Sequence, residues 1–416
     1  MKNSVKVSAL ILFGVFTFAC ATLTNTQNSQ ATQPPAISTE AQPTAKAELT
    51  EADIIAGIQT TLNTFAQAYA KGDVELLSTT LDLENKPFSR FIKTRFQTDI
   101  ESYNGTGNLD TYEVAYITQR EYNLVQVHII YDEVAAVDWV FRELDDGRWV
   151  LTEPTVEQTG EMVITDSDYF EFRTYPWADD VNSKVEELMQ NARDRVEQKL
   201  GKVPEEKIEV EIIPTYGLYP FDDPNAVAYY SFNGSLSGEG DRMVIYAPNS
   251  YLFSWYYIEY GWERELEDVL THEYTHMTHA RSFGNAGRLA DWIVEGLAEY
   301  VDGISRAYTL ADALENDALI PLVDTTPGVV RKQDIAHIYA LEKDIGLAYA
   351  EAEALVAFIV EEHGGFDAFW EFANAYDDVG GDLDKALQKS LNISQTKFEA
   401  SWMTWLKEIY LPRYVN

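Results

Sequence analysis

Cysteine is all but absent from this chain: one, Cys20, in 416 residues. A lone thiol cannot close an intrachain disulfide, so the fold has to hold by its core alone. Histidine is scarce too, with six. Basic residues number 31 against 68 acidic ones, a formal net charge of −37. That excludes the broad basic surface nucleic acid requires, and it argues against docking on anionic lipid through a basic patch. After the N-terminus no stretch approaches the roughly twenty apolar residues that a membrane-spanning helix needs, and there is no internal repeat. What is present is 46% hydrophobic and 13% aromatic, enough for two or three globular domains with ample cores.

The scarce histidines are gathered. His272, His276 and His279 fall in one short stretch, and the first two read H-E-x-x-H around Glu273. Leu266, Val269, Leu270, Tyr274 and Met277 recur at helical spacing, so the stretch is expected to be an amphipathic helix. Residues four apart share a helix face, so His272 and His276 can offer two imidazoles to one metal, with Glu273 one step round facing a water on it. After His276 come eighteen residues and then Glu295, in a second amphipathic helix that can complete the ligand set. Three protein donors and an open fourth position is the layout of a catalytic zinc. The plain alternative is a helix with two ordinary surface histidines.

Glu295 lies in Trp292-Ile293-Val294-Glu295-Gly296-Leu297-Ala298-Glu299-Tyr300, a W-x-x-E-G-x-A-x-Y pattern. H-E-x-x-H, eighteen residues and a Glu in that setting resembles the gluzincin zinc metallopeptidases, which include thermolysin-type and zinc aminopeptidase-type enzymes. Across about 165–412 it looks most like the bacterial peptidase MA-like domain. The resemblance implies one zinc ion (Zn2+) on His272, His276 and Glu295. It implies Glu273 as general base and later acid, and a peptide or protein substrate. It also implies that Glu299, one turn on, hydrogen-bonds a ligand histidine. A tyrosine opening a later helix would donate to the oxyanion; Tyr349 fits that place, with Tyr339 in reserve. In these enzymes an edge strand upstream of the zinc helix pairs with an extended peptide. The G-x-M-E-N segment of the aminopeptidases is missing, since Gly238-Glu239-Gly240 is only a turn, so an endopeptidase-type cleft is expected.

At the N-terminus Lys2 and Lys6 precede an apolar run, 7–18, that ends at Cys20. This reads as a lipoprotein-type signal over 1–20 with Cys20 as the lipidated residue. Residues 21–48 are Thr, Gln, Ser, Ala and Pro with almost no large apolar side chains, a disordered tether. The expected location is the bacterial cell envelope, lipid-anchored, outside the cytoplasm.

The expected fold class is α+β. Residues 50–157 read as a helix through Ile54–Tyr69, a second over 74–83, and four strands closed by an Asp145-Asp146-Gly147 hairpin. That order resembles the cone-shaped nuclear-transport-factor-like domains and is taken as accessory. His128 there reads as a strand histidine. Residues 160–416 form the expected peptidase domain: a small upstream sheet, the zinc helix, and a helical C-terminal part in which His337 and His363 read as surface or helix-end residues. The rival reading is a surface-anchored binding protein with a non-catalytic metal site, its ligand held by the 50–157 domain.

Overall fold

The computed structural model describes residues 49–102, 111–218, 228–231, 242–253, 255–283, 288–323, 335–340 and 345–411. Cys20, the signal and the tether lie outside the described residues, as does the side chain of Tyr339. The fold class is α+β.

Helix α1 (Glu51–Lys71) starts where Thr50 and Asp53 cap each other reciprocally, and stops at Gly72, whose φ of 63° is the left-handed conformation glycine tolerates. Ile54, Ile58, Leu62 and Phe65 form its buried stripe. Helix α2 (Val74–Ser78) is shorter than the sequence suggests. Helix α3 (Lys86–Ser102) has no counterpart in the sequence reading. Its Pro87 looks like a breaker but sits in the first turn, where a missing N–H costs nothing, and Phe88, Phe91, Ile92 and Phe96 face the core.

Strands β1 (Tyr112–Gln119), β2 (Leu124–Tyr131), β3 (Ala135–Glu143) and β4 (Trp149–Thr152) follow as an antiparallel sheet. Gly147 turns the last hairpin at φ 86°. The rings of Phe65, Tyr112, Trp139 and Tyr251 touch one another between helices and sheet.

A second sheet begins with β5 (Val163–Asp166) and β6 (Phe170–Thr174). Helix α4 (Asp179–Leu200) then crosses to β7 (Ile208–Ile213), parallel to β6. Strands β8 (Ala228–Ser231) and β9 (Arg242–Tyr246) complete the order β5-β6-β7-β9-β8, which leaves β8 outermost. The short strand β10 (Tyr256–Tyr257) then returns to pair with β3 in the first sheet. Ile213, Val244, Tyr246 and Tyr251 also enter the core of α1–α3 and β1–β4. Buried Glu153 ties the junction, accepting the N–H groups of Tyr216 at 2.8 Å and Tyr251 at 3.1 Å.

Helices α5 (Gly261–Phe283), α6 (Asp291–Asp302), α7 (Ala307–Glu315), α8 (Ile345–His363), α9 (Gly365–Asp378), α10 (Leu383–Ser390) and α11 (Gln395–Tyr410) build the remainder. Among the described residues no helix is long and apolar enough to cross a membrane. Helices α6 and α8 approach so closely that a Cβ on Gly296 would lie 2.3 Å from the Ala352 carbonyl oxygen. This accounts for a glycine directly after Glu295: the close contact fixes the helix that carries the carboxylate.

Helix α8 buries an acid in an apolar setting. Glu351 is 0% exposed. One oxygen accepts the Ile320 N–H at 2.7 Å and the other has no hydrogen-bond partner among the described residues. Burial pushes its pKa up to about 8. A carboxyl raised in the folded state binds more protons there than in the unfolded chain, so its contribution to stability falls as pH rises from about 4.5 to 8 and is level beyond. Thermal unfolding of wild type and Glu351→Gln across that range should show the wild type losing more, by on the order of 5 kcal/mol. Parallel pH profiles would mean the carboxyl is not held neutral.

Candidate metal centre

Helix α5 runs through the middle of the molecule, against α4, α6 and β8, and Leu266, Leu270, Tyr274 and Met277 bury its apolar face. Its fourth and fifth turns carry the motif. His272 Nε2 and His276 Nε2 lie 3.1 Å apart, and Glu295 Oε2, from α6, lies 3.3 Å from each. All three side chains are buried or nearly so.

That triangle is a test of fit for a metal. Nitrogen and oxygen donors about 2.0–2.1 Å from a tetrahedral zinc stand about 3.3–3.4 Å from one another, close to the edges found here. Charge points the same way. Glu273, Glu295, Glu299 and Asp302 are each at most 5% exposed, and Arg306 is the buried cation beside them. The carboxylates outnumber the cationic groups of this buried cluster, a setting that suits a divalent cation. The donor set fits a zinc ion.

Each donor is held from behind. His272 Nδ1 lies 3.0 Å from Asp302 Oδ2, and the other oxygen of Asp302 accepts the Ile304 N–H at 2.8 Å. Glu299, expected to hold a ligand histidine, stands 3.7 Å from His272 Nδ1, beyond hydrogen-bond reach. Both its oxygens are gripped by the Arg306 guanidinium instead. The role expected of Glu299 is thus filled by Asp302, seven residues past Glu295. His272, Glu299 and Asp302 also form a second group of converging donors, but Arg306 already supplies the cation there.

Glu273 is 3% exposed, and its Oε2 accepts the Tyr230 N–H at 3.0 Å. Burial raises its pKa, opposed by the two imidazoles. For His272, burial favours the neutral ring, but Asp302 and Glu295 outweigh it and hold the pKa well above its usual value while no metal is bound. Burial would raise Glu295, yet His276 and His272 hold it well below the carboxylate range. Asp302 is pushed up to about 7 by burial and by the charge on Glu299.

His279, the third histidine of the cluster, turns away and lies in the core beside Trp370 and Phe283. Tyr349 is on α8 as expected, but its hydroxyl is closed off from solvent and its ring lies 5.6 Å from the Arg306 guanidinium. Sequence reasoning missed Asp302, Arg306 and Tyr230. For Asp302 the available signal was the seven-residue step from Glu295, two helical turns on the same face.

A carboxylate on the outer nitrogen of a ligand histidine fixes its tautomer and raises its basicity. Asp302→Asn should therefore weaken zinc binding by about 10–100-fold, measured by competition with a chromophoric chelator. Unchanged affinity would show that His272 needs no such partner.

No family model matches the chain, and neither does any curated protein. Among solved structures, the M1 zinc metallopeptidase from Deinococcus radiodurans is similar at 14% identity with a TM-score of 0.26. A point mutant of the same enzyme is similar at 13% identity with a TM-score of 0.29. Each match covers 74% of this chain and 62% of the other, so the chain spans less than two thirds of the structures it matches. The functional reading rests on the geometry of the site.

Proposed function

We propose that this chain is a zinc-dependent peptidase of endopeptidase type, held at the bacterial cell envelope by a lipid on Cys20, with the 50–157 domain as an accessory module. The observation that carries the reading is the convergence of His272 Nε2, His276 Nε2 and Glu295 Oε2 at 3.1–3.3 Å, with the Glu273 carboxylate beside them. A zinc ion on those three residues would supply a Lewis acid for the substrate carbonyl and bring the pKa of a water toward neutrality.

The chain's own residues do the rest. Glu273 takes the proton of the attacking water and passes it to the leaving amine, and its burial suits both halves of that shuttle. Asp302 keeps the His272 ring turned with Nε2 toward Glu295 and His276. Among the described strands β8 stands at one edge of its sheet, and it lies against α5. Its Tyr230 N–H points away from β9, toward Glu273. A peptide added to that edge is held by main-chain hydrogen bonds whatever its side chains, with its carbonyls alongside the motif helix.

The test is zinc content beside hydrolysis of a denatured protein mixture, before and after a chelator. One zinc per chain, with cleavage that stops on chelation and returns with added zinc, is the expected result. A protein that binds no zinc would end this reading.

A further inference from the structure

Among the described residues, many basic side chains pair with one of the chain's 68 acidic residues. Arg120 pairs with Asp180, Arg142 with Asp82, Arg195 with Asp268 and Arg288 with Asp377. Lys86, Arg90 and Lys93 are set apart by lying together on one surface. They stand at helical spacing on the outward side of α3, with Ser89 and Thr94 among them. None of the three has an ion-pair partner among the described residues. The nearest acid in sequence, Glu84, is taken by Arg142 at 2.6 Å. Just ahead of the helix, Leu83 is 53% exposed.

Three cations on one helix face, unshared among the described residues, with an exposed leucine three residues ahead of the first, match a layer of anionic headgroups over an apolar interior. We propose that this face of α3 docks on an anionic phospholipid surface, with Leu83 entering the headgroup layer. The net charge of −37 does not forbid this. At physiological salt, charges beyond about 8 Å are largely screened, so the local trio decides the contact. Cations at such a surface contribute about 1 kcal/mol each, so three raise partitioning by roughly 100-fold. That is a weak grip alone, and it adds to the lipid anchor proposed at Cys20. The inference does not depend on the zinc chemistry.

The test is co-sedimentation of the full chain with vesicles of phosphatidylcholine alone or mixed with phosphatidylglycerol. Wild type is compared with a triple variant, Lys86→Gln, Arg90→Gln and Lys93→Gln. A control of equal charge change is placed on α10 and α11: Lys385→Gln, Lys397→Gln and Lys407→Gln. Circular dichroism of each variant reads whether it has folded. The α3 variant should lose tenfold or more of its partitioning onto phosphatidylglycerol vesicles while the control keeps it, and about 0.5 M salt should abolish the difference. Leu83→Ser should weaken binding in a salt-independent way. Equal binding by wild type and the α3 variant, or equal binding to both vesicle types, overturns the proposal. So does displacement of wild type by millimolar inorganic phosphate at constant ionic strength, which would mark a site for a free anion.

Discussion

Glu273→Gln is expected to retain one zinc per chain and to lose hydrolysis by at least about 10²–10⁴-fold. The substitution is close to isosteric, and the amide oxygen can still accept the Tyr230 N–H that now meets Glu273 Oε2 at 3.0 Å. The ligand triangle does not include Glu273, so the metal donors are untouched. What is lost is the ability to take a proton from the attacking water and return it to the leaving amine. Metal analysis and single-turnover cleavage of the same preparation separate the two effects. Full zinc with undiminished cleavage would show that the proton is carried elsewhere. Loss of zinc as well would make Glu273 a ligand rather than a base.

His272→Ala should remove metal and hydrolysis together. His272 Nε2 is 3.1 Å from His276 Nε2 and 3.3 Å from Glu295 Oε2, so two donors remain in place of three. The variant also strips Asp302, which is 0% exposed, of the ring it faces. A buried carboxyl without its cationic partner favours the proton further, so the gap is filled by a neutral acid and not by a new metal ligand. Stability gives a readout independent of activity. A ligand that binds only the folded state at about 100-fold over its Kd adds about 2.7 kcal/mol. Zinc should therefore raise the unfolding temperature of wild type and leave His272→Ala unmoved. Equal zinc-dependent shifts would remove His272 from the ligand set.

How much could be read in advance follows from how local each feature is. Helix α1 was legible because its cap, stripe and stop all lie within one segment, Thr50 to Gly72. Helix α3 was not, because Pro87 reads as a breaker until its place in the first turn is known. The motif helix was legible for the same reason as α1: the four-residue step between His272 and His276 is a property of any α-helix.

The sequence by itself determined the α+β class, the two-histidine face with Glu273 beside it, and the helix bringing Glu295. The histidine face and the Glu295 helix are each written in spacing within a single helix, and the class in the alternation of strand and helix patterns. The tertiary structure alone decided what stands behind and beside them. Asp302 rather than Glu299 meets His272, because Arg306, folding back from the start of α7, takes both Glu299 oxygens. Tyr230 reaches Glu273 because β8 is placed at the edge of its sheet by pairing with β9. Lys86, Arg90 and Lys93 stand unshared among the described residues because α3 turns them outward from its core face. Which acid meets which cation depends on how separate helices and strands pack, and helical periodicity carries no information about that.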